Sequence, residues 1–401
     1  MKNFKYLIIG GGMTAASAID GIRKVDSTGK IGLISTELDP PYDRPPLSKS
    51  LWKGKSLDSI WRKTKTKGVY YHFGRIVKEI LPKKRCVVDD KGNIFSYKKL
   101  LLATGGRPRR LKFGGDEIIY FRTLSDYRRL RLATLTGRRF AVIGSGFIGS
   151  EIAAALVQNG KEVVMIFPSE NIGDGIFPRS LARFVSKFYK RKGVELVSEE
   201  KVIGLQTRGS QCVLKISANR KIVVDGVVAG VGILPNTELA QKAGLAIKDG
   251  IIVDKFLRTS NRDIYAAGDV AAFNNPALGK RIRVEHEDNA NSMGILAGRN
   301  MAGKSEPYNH LSFFYSDMFD LGYEAVGELD PRLETFADWK YPNKEGVIYY
   351  LQNGRVRGVL LWNVWKQVKA ATELIAEPGP FTPKNLKGRL PAKTSRLKLK
   401  S

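Results

Sequence analysis

Two kinds of residue in this 401-residue chain could do chemistry together: glycines spaced to admit a phosphate, and charged side chains held by stiff backbone. The stretch PPYDRPPLSK, residues 40–49, sets Arg44 and Lys49 among four prolines. Proline locks φ, has no N–H to donate and pushes its preceding residue out of the helical region. The segment is therefore expected to be a stiff, extended loop. Alone it reads as a surface turn with two solvated cations; facing an anion it would be a pair of aimed charges. Two glycine clusters supply a reason for an anion. Gly10, Gly12 and Ala15 follow the pattern G-x-G-x-x-A, and Gly144, Gly146 and Gly149 follow G-x-G-x-x-G. The first glycine of such a loop permits a tight turn and the second lets backbone approach a pyrophosphate. The small third residue lets the helix pack close to its strand.

These loops need strands and helices around them. KYLIIG is a short buried-strand run, GGGMTAASAIDGIRK turns into a small-residue helix, and KIGLIST is a second strand. RRFAVIGSGFIGSEIAAALVQNGKEVVMIF repeats the strand–glycine loop–helix–strand order. One such motif is weak evidence. Two in the right context predict two dinucleotide-binding folds, each with a helix N-terminus offering N–H groups and partial positive charge to phosphates. YKKLLLATGGRPR reads as a strand ending at Ala103-Thr104-Gly105-Gly106-Arg107. TSNRDIYAAGDVA reads as a strand running into Gly268-Asp269 at the start of a helix, where Asp269 would either cap that helix or accept hydrogen bonds from a polyol.

Length allows two or three domains of roughly 150 residues each. A hydrophobic content of 43% and a charged content of 26% are those of an ordinary soluble protein. No apolar run reaches the ~18 residues of a membrane span, and the N-terminal apolar stretch is too short for a signal peptide, so a cytoplasmic location is expected. Cys86 and Cys212 form no close pair and are expected to be small core residues rather than a disulfide or redox couple. Three histidines without a Cys/His cluster argue against a metal site. A formal charge of +28, densest in KNLKGRLPAKTSRLKLKS, leaves open an acidic protein partner, non-specific nucleic acid, or no specific partner.

The chain resembles the FAD-dependent pyridine nucleotide oxidoreductases, and within them apoptosis-inducing factor and the ferredoxin reductases of oxygenase systems. The resemblance is carried by Gly10–Ala15, PYDRPPLSK, ATGGRPR, IGSGFIGSE, VAGVGILPN, IYAAGDVA and RVEHEDNA, and runs to about residue 375. It implies an α/β protein with two Rossmann-like dinucleotide-binding domains and a C-terminal α/β cap. The expected bounds are 1–120 and 247–308 for FAD, 121–246 for NAD(H), and 309–401 for the C-terminal domain with its basic tail. The resemblance implies that Gly10, Gly12, Met13, Thr14 and Ala15 line the FAD pyrophosphate. The adenosine ribose falls to Glu37, next to the aligned Thr36, and the adenine to the backbone of Val77. Ala103, Thr104, Gly105 and Arg107 would pass by the flavin or pyrophosphate, Gly268 and Asp269 would hold the ribityl chain, and His286 and Glu287 would lie near the flavin.

On this pattern the proline loop crosses the flavin, with Arg44 facing FAD and Lys49 reaching the N5 region, paired with Glu151. A fixed cation there would stabilise charge developing on the reduced ring. Read locally, Glu151 is an ordinary acid in the first turn of a helix, favoured by the macrodipole. The second fold is expected to take NADH at Gly144, Ser145, Gly146, Phe147 and Ile148, with Val231 and Gly232 nearby. The ribose acid is expected at Glu170, after the aligned Ser169. A lysine of the apoptosis-inducing-factor pattern falls at Gly175, and the aromatic stacked near the flavin or nicotinamide would be Tyr315. NADH is expected over NADPH, because MIFPSENIGDG carries no Arg or Lys before Arg179 and Glu170 would repel a 2′-phosphate.

The function so implied is an NADH oxidoreductase with non-covalent FAD and no metal. It passes electrons to a ferredoxin-like protein, a quinone or oxygen without a dithiol relay, as a monomer or homodimer. The long insertion of the animal apoptosis-inducing factors after GELD is missing, so no cell-death role is carried over. The alternative is a redox-gated binding protein for an acidic protein or nucleic acid, with only slow NADH turnover.

Overall fold

The computed structural model describes residues 1–63 and 68–390; the last part of the basic tail lies outside them. Contacts divide the chain into two units. The first takes in Met1–Arg44, Ser56–Arg107 and Leu234–Ser312, and the second Pro45–Lys55, Pro108–Ile233 and the residues from Phe313 onward. By contacts, residues 108–120 go with the second glycine fold and 234–246 with the first.

In the first unit the strands Val69–His72, Ile31–Ile34, Lys2–Ile9 and Ile94–Leu102 lie parallel in that order. Ile94–Leu102 has two further neighbours. Its second half pairs parallel with Ile264–Ala266, and its first half pairs antiparallel with Cys86–Asp89, which leads on to Val77–Leu81. The aliphatic run of Lys2–Ile9 is buried on both faces at its centre, where Leu7 and Ile8 have no exposure, as expected of a parallel strand covered on two sides. Helix α1 (Met13–Arg23) covers the sheet together with the later Glu287–Met301, and glycines make their approach possible. A Cβ on Gly294 would fall 2.5 Å from the Thr14 carbonyl, on Gly298 2.2 Å from the Ala18 carbonyl, and on Gly21 2.1 Å from the Ile295 carbonyl.

The second unit repeats the pattern. Strands Val194–Val197, Glu162–Ile166, Arg139–Ile143, Gly226–Ala229 and Ile118–Tyr120 form a parallel sheet. Helix α2 (Leu124–Thr136) opens on a reciprocal cap between Thr123 and Asp126. Helix α3 (Phe147–Gln158) follows the second glycine loop, and α4 (Arg179–Arg191) buries Leu181, Ala182, Val185 and Phe188 on one stripe. The C-terminal part is a five-stranded antiparallel sheet in the order Phe313–Met318, Leu321–Gly327, Arg355–Trp362, Glu345–Gln352, Glu334–Tyr341. Its aromatic core stacks Tyr323 on Trp362 at 5.9 Å and sets Phe177 edge-on against both.

One local expectation changes. Gly268-Asp269 does not open a helix: Gly268–Val270 is a single 3₁₀ turn that runs straight into the strand Ala271–Asn275. Asp269 therefore has no long helix to cap.

Candidate nucleotide and redox sites

The first glycine loop joins Lys2–Ile9 to α1. Gly10 has φ of +120°, and a Cβ there would lie 2.1 Å from the Ala103 carbonyl oxygen, so the close passage of the two strand ends demands glycine. Gly12 is different. Its φ is −87°, open to any residue, and the nearest atom to an added Cβ is Arg44 Nη2 at 4.0 Å. Packing within the protein gives no reason for glycine at this position, whereas a phosphate approaching the backbone does. Gly12 is also the N-cap of α1 and no side chain caps it, which leaves the first turn at Met13, Thr14 and Ala15 to serve an anion. Thr14 is fixed from the other side by Gly268, where a Cβ would lie 2.3 Å from its hydroxyl.

Around this cradle stand the charged residues of the first unit. Glu37 accepts hydrogen bonds from Tyr42 Oη at 2.6 Å and Arg44 Nη2 at 2.5 Å. Desolvation opposes the charge on Arg44, but the fields of Glu37, Tyr42 and Asp269 outweigh it and raise its pKa. Asp269 also acts on His286, whose pKa desolvation nevertheless lowers to about 4. His286 is the N-cap of the helix that Glu287 begins. Arg62, which sequence reasoning passed over, ties the cradle together. It donates to Asp43 Oδ1 at 2.6 Å, to the Met13 carbonyl at 3.1 Å, to Ser17 Oγ at 3.0 Å and to Asn291 Oδ1 at 2.7 Å.

Val77 opens the strand Val77–Leu81 at the sheet edge, where the ladder is irregular. Thr104 donates to the Asn236 carbonyl at 2.9 Å and receives the Asn236 amide on its own carbonyl at 2.8 Å. Gly105, at φ +60°, accepts from the Asn236 N–H. Arg107 is directed to Asn236 Oδ1 at 2.9 Å and Glu238 at 2.5 Å, and its side chain is half exposed. Asn236, at the end of VAGVGILPN, thus organises this corner through three residues at once, a role its sequence position did not announce.

In the second unit, Gly144 has φ of +104° and a Cβ would meet the Gly230 carbonyl at 2.4 Å, while one on Gly149 would meet the Gly144 carbonyl at 2.1 Å. Gly146 repeats the logic of Gly12. Its φ is −78°, it is the uncapped N-cap of α3, and nothing lies within 4 Å of an added Cβ. Phe147 and Ile148 are more than a third exposed beside it, with Phe147 edge-on to Phe314 at 5.2 Å. Val231 is packed on the core, and Gly232 has φ of +101° and accepts from the Arg109 N–H. Gly175 has open space around it. The two cradles fit the phosphates of two dinucleotides.

The proline loop carries Lys49 in the same unit, and it meets Glu151 of α3. Lys49 Nζ lies 2.5 Å from Glu151 Oε1, with 11% and 3% of the two side chains exposed. Ser316 donates to the same oxygen at 2.6 Å and Ser48 to the other at 2.5 Å. The Lys49 ammonium also stands 5.2 Å from the centre of the Tyr315 ring. Burial and then the Glu151 carboxylate raise the Tyr189 and Tyr323 phenols above their usual range. Lys49 and Glu151, expected to pair, meet, and Tyr315 stands beside Lys49; Ser48 and Ser316 were not foreseen. A recess lined by Ser48, Lys49, Lys53, Glu151, Gln158, Asp317 and others opens onto the pair.

Glu170 needs a correction of premise. Although Arg179 lies nine positions further along the chain, Arg179 Nη2 lies 3.0 Å from Oε2, and Arg183 Nη2 lies 3.3 Å from Oε1. Ser169, one residue earlier, places its hydroxyl 3.2 Å from that of Ser145 in the glycine loop.

Two uncapped glycine cradles, each on its own βαβ fold, and a buried lysine–carboxylate pair define a two-nucleotide redox protein. Residues 4–294 match the pyridine nucleotide-disulphide oxidoreductase family and residues 297–345 the C-terminal domain of mitochondrion-associated apoptosis-inducing factor. The chain belongs to the pyridine nucleotide-disulphide oxidoreductase family. It is 33% identical to apoptosis-inducing factor 1, mitochondrial, of Dictyostelium discoideum, over 94% of this chain and 79% of the relative. It is 32% identical to the anthranilate 1,2-dioxygenase system ferredoxin–NAD(+) reductase component of Burkholderia cepacia, over 95% and 96% of the two chains. The crystal structure of the covalent putidaredoxin reductase–putidaredoxin complex superposes with a TM-score of 0.90, at 26% identity over 96% of each chain. The protein is an FAD-dependent NAD(P)H oxidoreductase of the ferredoxin-reductase-like and apoptosis-inducing-factor-like kind.

Proposed function

We propose that the chain oxidises NADH and passes the electrons singly to a small iron–sulfur protein of the ferredoxin class. One NADH reduces two oxidised one-electron carriers, giving NAD⁺ and a proton. The open space at both Gly12 and Gly146 carries the two-nucleotide reading, since neither glycine is required by packing. FAD, when bound, would supply the link between a two-electron donor and one-electron acceptors. The protein's part is electrostatic. With FAD bound, Lys49 would be the cation set against negative charge on the reduced ring. Glu151 with Ser48 and Ser316 keeps that ammonium in one position, so no reorganisation is needed as charge develops. The two cysteines, Cys86 and Cys212, are buried, free, and lie one in each unit, which supports electron exit without a dithiol.

The ferredoxin-class acceptor is supported by the relatives named as ferredoxin reductase components and by the likeness to a reductase solved with its redox partner. The formal charge of +28 suits an acidic partner of that kind. The same charge also favours a second reading, a redox-gated binding protein with slow turnover. Anaerobic stopped-flow reduction by NADH tests the catalytic reading. Lys49→Ala with FAD fully bound is expected to slow flavin reduction roughly 10- to 1000-fold, the scale of losing one preorganised electrostatic partner. Unchanged rates would refute the role of Lys49. Turnover below about 0.1 per second with a ferredoxin, quinones, dyes and oxygen would favour the binding reading, against the ~1–1000 per second of typical enzymes.

A further inference from the structure

Arg179 and Arg183 stand one turn apart at the start of α4, on the side away from buried Leu181, Ala182 and Val185. Both guanidiniums draw on a single carboxylate, that of Glu170. The cluster therefore keeps a net positive charge. The placement of Arg179 accentuates this, because a cation in a helix's first turn opposes the macrodipole, and the first turn of α4 contains no acid. The nearby Asp174 carboxylate is engaged by the Asn171 N–H at 2.7 Å. Glu170 directly follows Ser169, whose hydroxyl contacts Ser145 of the glycine loop. The cluster thus sits where the loop and the end of the second strand meet, the place at which an adenosine ribose is read in this fold.

At such a place an acid hydrogen-bonds a free ribose 2′-hydroxyl, whereas an arginine accommodates a 2′-phosphate. This chain has both within contact distance of each other. We propose that Glu170, Arg179 and Arg183 form a dual ribose site, through which the protein takes NADPH as well as NADH. With NADH the Glu170 carboxylate accepts the 2′-hydroxyl while staying paired to the arginines. With NADPH the 2′-phosphate takes the two guanidiniums and Glu170 swings into solvent. A phosphate with three acceptor oxygens and roughly −1.5 to −2 charge can give each guanidinium its own partner, where one carboxylate must be shared. Glu170 is 44% exposed and gives up only surface ion pairs in doing so. The proposal rests on the oxidoreductase reading above, and adds the chemical class of its electron donor.

Isothermal titration of the FAD-loaded protein with NAD⁺ and NADP⁺, alongside kcat/KM for NADH and NADPH, tests it. Wild type is expected to bind the two oxidised nucleotides within about tenfold of each other. Arg179→Gln with Arg183→Gln is expected to weaken NADP⁺ by about tenfold or more relative to NAD⁺, and Glu170→Gln to shift the ratio the other way. Both arginines are more than half exposed, so glutamine at these positions leaves the core of α4 intact. The proposal is overturned if wild type binds NADP⁺ more than about tenfold more weakly than NAD⁺, or if the double arginine variant leaves the ratio unchanged. Normal flavin reduction by NADH in that case would leave the oxidoreductase reading standing; binding of neither nucleotide would remove both.

Discussion

Replacing Glu151 by alanine removes the carboxylate on which Lys49, Ser48 and Ser316 converge. Lys49 is only 11% exposed, so it cannot turn to water without displacing its neighbours. At a charge separation near 4 Å and an effective dielectric of ~20 the lost attraction is about 4 kcal/mol. Breaking one side of a buried pair costs roughly 3–5 kcal/mol in practice, because the other charge is left uncompensated. We expect Glu151→Ala and Lys49→Ala each to destabilise the second unit by that amount. Lys49→Ala combined with Glu151→Ala removes both charges and leaves only two hydroxyls to find new partners, at about 1 kcal/mol each. The double variant should therefore be more stable than either single one, with a coupling of at least ~2 kcal/mol. Guanidinium denaturation followed by tryptophan emission suits the test, since Trp52, Trp339, Trp362 and Trp365 lie in the second unit and Trp61 in the first. Losses that add to within ~0.5 kcal/mol would show that the pair is not a unit.

The glycines separate fold from function. Gly10→Ala, with φ +120° and a 2.1 Å clash, should destabilise the protein by more than ~2 kcal/mol and lose flavin, whereas Gly146→Ala should change stability by less than ~0.5 kcal/mol yet raise the KM for NADH; a silent Gly146→Ala in steady-state kinetics would argue against a phosphate there. His286 titrates near 4 when folded and near 6.5 when unfolded, so the unfolded chain binds the extra proton between those values. Stability should fall by roughly 1–3 kcal/mol as pH drops from about 6.5 to 4, with no further loss from this group below 4, and a His286→Asn variant should flatten that part of the pH–stability curve. Denaturing the yellow protein should release all flavin into the supernatant, and colour left in the precipitate would contradict non-covalent binding.

Much of this protein is legible in one dimension because the relevant physics is local. A strand, three closely spaced small residues and a helix specify a phosphate loop through backbone sterics, and both loops form at Gly10–Ala15 and Gly144–Gly149 as their spacing predicts. The proline loop is not extended throughout as expected: Pro45–Ser48 winds into a 3₁₀ turn, because the φ that the proline ring fixes is also that of a 3₁₀ helix. What lies across the chain was decided by folding. Ser48, Lys49, Glu151 and Ser316 come from three distant segments, and a buried carboxylate must collect donors from wherever packing brings them. Nothing in the types of Ser48 or Ser316 marks them beforehand. Gly268-Asp269 reads as the start of a helix, but strand pairing of Ala271–Asn275 outweighed that local preference and left a single 3₁₀ turn. MIFPSENIGDG carries no Arg or Lys, yet α4 turns its first two arginines, Arg179 and Arg183, back onto the Glu170 carboxylate. Charge pairing acts through space and takes no account of sequence separation, so the Glu170–Arg179–Arg183 cluster could be read only from the folded chain.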